Sequence, residues 1–180
     1  LSVKSGEWTL LRGASGTGKS SVFRYIAGIW DHGSGDVCVP RGTMVVPQKP
    51  FLACMSLRRL IAYPSDLQGA DADFKGILRR VRLEKFISEL DEVKDWGKIL
   101  SGGEAQRLAF ARVYFTQPAF LLLDEATSAL DSALAKELLA NLKHDFPSLG
   151  VLAITHKEEL KFIFDKVIES VLSSKCNHLQ

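Results

Sequence analysis

The segment 11–21, which reads LRGASGTGKSS, constrains the fold of this 180-residue chain more than any other feature. Its glycines, lysine and serine fit the spacing G-x-x-x-x-G-K-[ST], which is informative where a strand precedes it and a helix follows. An apolar run at 8–11 has the character of a short strand, and residues 21–29 carry apolar side chains at helical spacing. The segment therefore predicts a phosphate-binding loop between a strand and a helix.

The residue types of this loop suit a polyphosphate. Glycines allow backbone N–H groups to turn toward an anion, and a helix that begins near Lys19 adds unpaired N–H donors and the positive end of its dipole. We expect Lys19 to bridge the β- and γ-phosphates and the Ser20 hydroxyl to be a Mg²⁺ ligand. The alternative is a glycine-rich turn with a solvated lysine. The predicted nucleotide-binding residues of the loop are Gly13, Ala14, Ser15, Gly16, Thr17, Gly18, Lys19, Ser20 and Ser21.

Two adjacent carboxylates follow the apolar run Phe120–Leu123. A continuous apolar run of this length is typical of a strand buried on both faces of a parallel sheet. Carboxylates at its end are costly to bury unless they meet a cation or transfer a proton. We expect Asp124 to support Mg²⁺ through water and Glu125 to polarise an attacking water. The alternative is a pair of acids at the start of a helix.

Gln48 and His156 also follow short β-branched or apolar runs. Strands that end at Arg12, Asp124 and Thr155 would direct their carboxyl ends toward one crevice, where ligands bind in open α/β sheets. His156 then lies at that crevice, and Gln48 is placed to reach Mg²⁺ or water. The alternatives are a loop amide for Gln48 and a packed or solvated imidazole for His156.

The sequence LSGGE at 100–104 opens a predicted helix that runs to about Phe115. Ser101 and Glu104 have the spacing of a capping box, and a helix start with two glycines and a hydroxyl is also an anion site. Further on, Asp131 is predicted to cap a helix whose leucines form one face, and 147–150 ends that helix.

Alternating strands and helices predict an α/β sandwich with a mainly parallel sheet. Short β-branched runs lie at Val37–Val39 and Thr43–Val46, and a short helix is predicted at Ser56–Tyr63. Residues 71–92 have apolar side chains at helical spacings and a charged opposite face, which predicts a small helical insertion. A further helix is predicted after His156, to about Phe164, and then a last apolar run at 167–172.

Composition excludes several classes of protein. Lys plus Arg number 23 and Asp plus Glu 21, a net charge of +2 that predicts no nucleic-acid partner. Three dispersed cysteines, Cys38, Cys54 and Cys176, indicate reduced thiols and no metal site. No apolar stretch approaches the ~20 residues that cross a bilayer, so we expect the piece itself to be soluble. An initial Leu almost directly before a core strand indicates a piece of a longer polypeptide.

The order of these motifs resembles that of the ATP-binding cassette (ABC) ATPases, over nearly the whole chain. GASGTGKS resembles Walker A, VVPQKPF the Q-loop with Gln48, and LSGGE followed by AQR the family signature. FLLLDE resembles Walker B with Glu125 as the catalytic carboxylate. SALD resembles the D-loop that ends at Asp131, and ITH the switch with His156. Walker A, the signature and Walker B in this order and spacing are highly specific.

The resemblance implies a P-loop NTPase sandwich with a mainly parallel sheet, a small antiparallel β part and a helical insertion. It implies ATP and Mg²⁺ as ligands, with Ser20, Gln48 and Asp124 at the metal and His156 acting beside Glu125. It also implies a head-to-tail dimer, in which each ATP lies between the Walker A of one subunit and the signature of the other. The residues expected to contact ATP across that interface are Ser101, Gly102, Gly103 and Glu104.

Residues 1–180 would form one such domain without its N-terminal strand or strands, with a helical subdomain at about 66–116 that carries the signature. The family's adenine-stacking aromatic would lie upstream, since Trp8 is too close to the loop. Glu104 replaces the Gln that is commonest at the fifth signature position.

VVPQKPFL, the YP at Pro64, the DW at 95–96 and ITHKEEL are similar to half-transporters that move fatty acids or their CoA esters. This implies an exporter-type transporter whose cassette lies on the cytosolic face of a membrane. Its transmembrane domain would contact the segment 51–60, whose apolar residues otherwise pack locally. The alternatives are a soluble ABC ATPase of DNA repair or translation, another phosphate-loop enzyme such as a kinase, and an inactive cassette.

Overall fold

The computed structural model describes residues 2–14, 17–30, 36–65 and 71–169 of the chain. Strands and helices alternate along the described parts, as the sequence predicts. Short 3₁₀ helices at Glu84–Glu89 and Glu158–Ile163 complete the regular structure. The elements are β1 (Trp8–Arg12), α1 (Lys19–Ile26), β2 (Thr43–Val46), β3 (Cys54–Ser56), α2 (Leu57–Ala62), α3 (Asp71–Arg80), β4 (Val93–Asp95), α4 (Trp96–Ile99), α5 (Gly102–Thr116), β5 (Phe120–Asp124), α6 (Ser132–Asp145), β6 (Gly150–Ile154) and β7 (Lys166–Glu169).

Five strands form one parallel sheet in the order β2-β5-β6-β1-β7. The register places Leu122 opposite Leu152 and Leu10 opposite Ala153. Strands β1, β6 and β5 are neighbours, so the residues that follow them emerge at the same edge of the sheet. The predicted crevice at the ends of these three strands is therefore present.

Alternation along the strands divides the core into two layers, because successive side chains point to opposite faces. On one face, Leu11, Leu122, Leu152 and Ile154 pack with Phe23 of α1. On the other face, neighbouring strand residues join a larger cluster with α5 and α6. The strand members of that larger cluster are Trp8, Leu10, Val46, Leu121, Leu123, Val151 and Ala153. Helices thus cover both faces of the sheet, which is the predicted mainly parallel α/β sandwich.

A second, two-stranded antiparallel sheet pairs β3 with β4, with Met55 opposite Lys94. An antiparallel β part is expected, but the run Val37–Val39 is not a strand, and Thr43–Val46 joins the parallel sheet instead. The difference lies in strand pairing. Residues 43–46 hydrogen-bond to β5, whereas 37–39 has no neighbouring strand to pair with among the described residues.

Two helical predictions need refinement. The segment 71–92 contains α3 and a 3₁₀ helix, and Val81 and Leu83 between them are buried. The helix after His156 is a 3₁₀ helix that ends at Ile163. Of the predicted last apolar run, residues up to 169 belong to β7 and the rest lie outside the described residues. No helix in the described part of the chain is long and apolar enough to cross a membrane.

Close packing at the start of β6 requires glycine. Gly150 lies opposite Phe120 in the ladder, and a Cβ atom there would be 2.7 Å from Phe120 Cδ2 and 3.0 Å from the Lys4 carbonyl oxygen. Contacts below about 3 Å force neighbouring atoms to move, and overpacking of this kind costs about 1–3 kcal/mol.

We predict that Gly150→Ala lowers the free energy of unfolding by about 1–3 kcal/mol, measured by urea denaturation. Adding Phe120→Leu should recover part of that loss, because the ring gives way while the Lys4 carbonyl does not. Gly76→Ala is the matched control, since its Cβ would meet no atom within 4 Å, and it should be neutral or stabilising. Equal losses in Gly76→Ala and Gly150→Ala would contradict this account.

Candidate ATP site

The loop after β1 closes around the side chain of Lys19. Lys19 Nζ donates to the carbonyl oxygens of Gly13 at 2.7 Å and Ala14 at 2.8 Å, and Lys19 is only 7% exposed. Thr17 donates from both its N–H and its hydroxyl to the Ala14 carbonyl. The predicted residues Ser15 and Gly16 lie outside the described residues. The ammonium group is thus held at the centre of the loop by backbone oxygens.

Gly18 allows α1 to begin directly at Lys19. Its φ of 77° lies in the left-handed region that favours glycine, and no side chain of the described residues caps this helix end. Ser20 and Ser21 follow in the first turn. The first N–H groups of the helix therefore have no intrahelical partner, which is the property that makes a helix start an anion site.

Asp124, at the end of β5, faces this helix start. The Ser20 hydroxyl hydrogen-bonds to the Asp124 carboxylate. Burial and the neighbouring Glu125 raise the pKa of Asp124, while Arg24 of α1 and the Ser20 hydroxyl offset part of that rise. The predicted pair of oxygen donors, one hydroxyl and one carboxylate, is therefore brought together. Hard oxygen ligands next to a phosphate loop suit Mg²⁺.

Glu125 contacts two other predicted polar residues at this edge, Gln48 and His156. Gln48 Nε2 donates to Glu125 Oε2 at 2.8 Å, and His156 Nε2 lies 3.0 Å from Glu125 Oε1. The Glu125 backbone is left-handed, with φ of 50°, and its N–H donates to the Ile154 carbonyl. A non-glycine residue in that region is held there by its surroundings. The carboxylate is thus fixed through both its oxygens and its backbone.

The predicted capping box at the start of α5 is confirmed. Ser101 accepts a hydrogen bond from the Glu104 N–H, and Glu104 Oε2 accepts from the Ser101 N–H at 2.8 Å and from its hydroxyl at 2.9 Å. Lys85 Nζ lies 2.5 Å from Glu104 Oε1. Burial acts to raise the pKa of Glu104, but Lys85 and Ser101 together lower it from 4.5 to about 2.

The start of α5 is not joined to the phosphate loop. Within the described parts of the chain, the hydrogen bonds and ion pairs of the Ser101 and Glu104 side chains go to these two residues themselves, to Lys85 and to Arg107. Asp131 accepts from the Leu134 N–H and caps α6 as predicted. The N-termini of α1, after Gly18, and of α5, after Ser101, are thus two separate candidate anion sites among the described residues.

The hydrogen bonds of Gln106 cannot be predicted from local sequence spacing. Gln106 in α5 is 2% exposed and bonds to Gln48, Ser128 and Ala129, which are distant in the sequence. The available signal is its place among Ala105, Leu108 and Ala109, where a buried helix face leaves a polar side chain in need of partners.

Comparisons with known proteins agree with this geometry. A family model described as "ABC transporter" matches residues 1–128. An uncharacterized ABC transporter ATP-binding protein of Synechocystis is 39% identical over 94% of this chain and 26% of its own length. The human lysosomal cobalamin transporter ABCD4 is 38% identical over 77% of this chain and 25% of its own length. The chain thus spans about a quarter of these relatives.

A solved structure agrees with the fold. A bacterial Atm1-family ABC exporter with ATP bound superposes with a TM-score of 0.82 and 26% identity. The match covers 93% of this chain and 32% of the exporter chain. The P-loop NTPase architecture predicted for the chain is therefore confirmed.

We predict that Glu104 stabilises the fold in a pH-dependent way. Because its folded pKa lies below 4.5, its stabilisation is complete above about pH 4.5 and is lost as the pH falls toward 2. The free energy of unfolding of wild type and Glu104→Gln should therefore converge as the pH falls from 5 to 2.5. Glu84→Gln is the exposed control and should show no such convergence. A pH-independent difference between wild type and Glu104→Gln would rule out this role.

Proposed function

Because this chain belongs to the ABC transporter family, we propose that it is an ATP-binding domain that hydrolyses ATP and thereby drives transport across a membrane. The observation that carries the proposal is the arrangement at the ends of β5 and β6, where Glu125 is held by Gln48 and His156. This cluster follows directly on Asp124, which is bonded to Ser20 beside the phosphate loop. A triphosphate held by that loop would present its terminal phosphate to a fixed carboxylate.

The phosphate loop supplies the binding groups. Residues 13–21 offer backbone N–H donors, and the first turn of α1 adds the positive end of its dipole. Lys19, now bonded to two loop carbonyls, exchanges those partners for the β- and γ-phosphates. Because a phosphate oxygen is charged and a carbonyl is not, the exchange favours the nucleotide.

Ser20 and Asp124 are the residues that would hold Mg²⁺, with Gln48 as the third. Their donor atoms are all oxygens, the type that this cation prefers. When bound, the ion would neutralise charge on the β- and γ-phosphates. In this chain the Ser20 hydroxyl is within hydrogen-bonding reach of the Asp124 carboxylate.

Glu125 is proposed as the general base that polarises the attacking water. Its two oxygens are bonded to Gln48 and to His156, and a carboxylate retains further lone pairs for a water proton. His156 is proposed to sense the γ-phosphate, and its side chain is 56% exposed on the side of the crevice. The backbone bond from Glu125 to Ile154 keeps the base in place while the phosphate moves.

The start of α5 is proposed to complete an ATP site on a second copy of the domain. Ser101, Gly102, Gly103 and Glu104 form a helix start, and the side chains of Ser101 and Glu104 make no hydrogen bond or ion pair to the described residues of the phosphate loop. A head-to-tail dimer would place this start on the γ-phosphate held by the partner. Asp131 would lie at the same interface as the D-loop. Binding would then close the dimer, and hydrolysis would reopen it.

The remaining assignments follow from family membership. Residues 1–180 are proposed as one ATPase domain, with a helical subdomain at about 66–116 that carries the signature. A transmembrane domain is the proposed second partner, with this domain on the cytosolic face. Its contact would use Phe51 and Tyr63, whose rings are 54% and 44% exposed and 5.4 Å apart. Leu52 and Met55 of the same segment instead pack against the core.

Fatty acids or their CoA esters are the proposed cargo, on the resemblance of the segments at 45–52 and 154–160. The human relative is named as a cobalamin transporter, which is a different cargo from the one proposed for this chain. A soluble role in DNA repair or translation is not favoured, because the relatives are named as transporters or exporters.

We predict that Glu125→Gln lowers the kcat for ATP hydrolysis by at least about 100-fold, because the amide cannot accept the proton of the attacking water. ATP binding should persist, so that the variant accumulates as an ATP-dependent dimer, detected by light scattering. Glu84→Gln, on the exposed helical segment, should hydrolyse ATP like the wild type. A wild type without ATPase activity, or a Glu125→Gln variant with normal kcat, would refute the proposal.

We predict that Asp124→Asn weakens the Mg²⁺ dependence of ATP binding, since it replaces a charged carboxylate, proposed to hold Mg²⁺ through water, with a neutral amide. In the wild type, ATP should raise the melting temperature more with Mg²⁺ than with EDTA. Saturation at 100 times the Kd corresponds to about 2.7 kcal/mol. Asp91→Asn, which alters an exposed carboxylate paired with Arg58, should keep the Mg²⁺ effect. The same Mg²⁺ effect in Asp124→Asn and wild type would contradict the ligand assignment.

A further inference from the structure

The amide of Gln106 is a buried junction between three parts of the fold. Its Nε2 donates to the Gln48 carbonyl at 3.0 Å and to Ser128 Oγ at 2.9 Å. Its Oε1 accepts from the Ala129 N–H at 2.9 Å. Gln106 itself is 2% exposed, and its three hydrogen bonds are partly buried. One side chain of α5 thus binds the loop after β2 and the loop after β5.

Only an uncharged amide satisfies all of these partners. The Gln48 carbonyl requires a donor and the Ala129 N–H requires an acceptor, and one Gln amide supplies both. A carboxylate supplies only acceptors, and an apolar side chain supplies neither. Either replacement leaves at least one of these partly buried backbone groups without its partner, which costs free energy.

Both loops that Gln106 holds are bonded directly to Glu125. Gln48, whose carbonyl accepts from Gln106, uses its own side chain to donate to Glu125 Oε2. Ser128, whose hydroxyl accepts from Gln106, donates its N–H to the Glu125 carbonyl at 3.0 Å. Gln106 therefore fixes the two neighbours that orient the carboxylate and its backbone, without touching it.

We propose that Gln106 is a positioning residue for ATP hydrolysis, which holds Gln48 and the loop 128–129 so that Glu125 is oriented as a base. This inference rests on the proposed ATPase function. Loss of the amide should leave nucleotide binding to the phosphate loop intact, because its hydrogen-bond partners among the described residues, Gln48, Ser128 and Ala129, all lie outside that loop. It should lower the rate of the chemical step, because the base is then less often correctly oriented.

The test uses Gln106→Met, which keeps side-chain length and removes all three hydrogen bonds. Its kcat should fall at least about tenfold, while the KM for ATP stays within about twofold. Tyr114→Phe is the matched control, since it removes a bond from the same helix to Asp145. Leu108→Ala controls for lost stability, because Leu108 is fully buried in α5. Both controls should keep the wild-type kcat at a temperature where they are folded.

A double-mutant cycle separates positioning from a general loosening of the fold. If Gln106 acts through Gln48, then Gln106→Met and Gln48→Ala together should lower kcat little more than the worse single variant. The effects of Gln106→Met and Tyr114→Phe should multiply. An unchanged kcat in Gln106→Met, or effects of Gln106→Met and Gln48→Ala that multiply, would overturn the inference.

Amide hydrogen exchange supplies a readout that does not depend on ATP hydrolysis. Gln106→Met should speed exchange about tenfold at Ala129 and at Ser128, whereas Tyr114→Phe should not. Unchanged exchange at both positions would overturn the positioning role even in a protein without activity. If the wild type fails to hydrolyse ATP but Gln106→Met still speeds exchange, the proposed function is refuted. The role of Gln106 in holding the two loops would stand.

Discussion

The parallel pairing of β5 with β6, and of β6 with β1, is the interaction on which the rest of this structure depends. Apolar side chains cover both faces of these strands, so a slip of one residue would exchange the two faces. The register that results aligns the carboxyl ends of the three strands. The phosphate loop, Glu125 and His156 each follow one of those ends, and their proximity is a consequence of apolar packing.

Much of this could be predicted from local sequence, because the relevant interactions are local. The glycine spacing before Lys19 fixes a loop and a helix start within a few residues. Ser101 and Glu104 satisfy each other within one turn, and Asp131 caps a helix three residues away. The strand ends could be predicted as well, since long apolar runs such as 120–123 mark strands buried on both faces.

Other features depend on partners far away in the chain. The run 37–39 has a strand-like composition and forms no strand, whereas β3, which the composition does not mark, pairs with β4. Lys85 reaches Glu104, and Gln106 reaches residues 48 and 128–129, across distances in sequence that periodicity does not encode. Such contacts follow from the packing of α5 against its neighbours, which only the assembled fold specifies.

Helix α5 links two sites that differ in chemistry. At its first turn, Glu104 is charged and tied to Ser101 and Lys85, at the helix start proposed to meet the partner's nucleotide. Five residues after Ser101, or about 7.5 Å along the axis, Gln106 holds the loops that orient Glu125. Its bonds of 2.9–3.0 Å weaken steeply with distance and angle, so a small movement of the helix changes them. A movement of the start of α5 would therefore reach Glu125, the proposed base, through the helix and the single amide of Gln106.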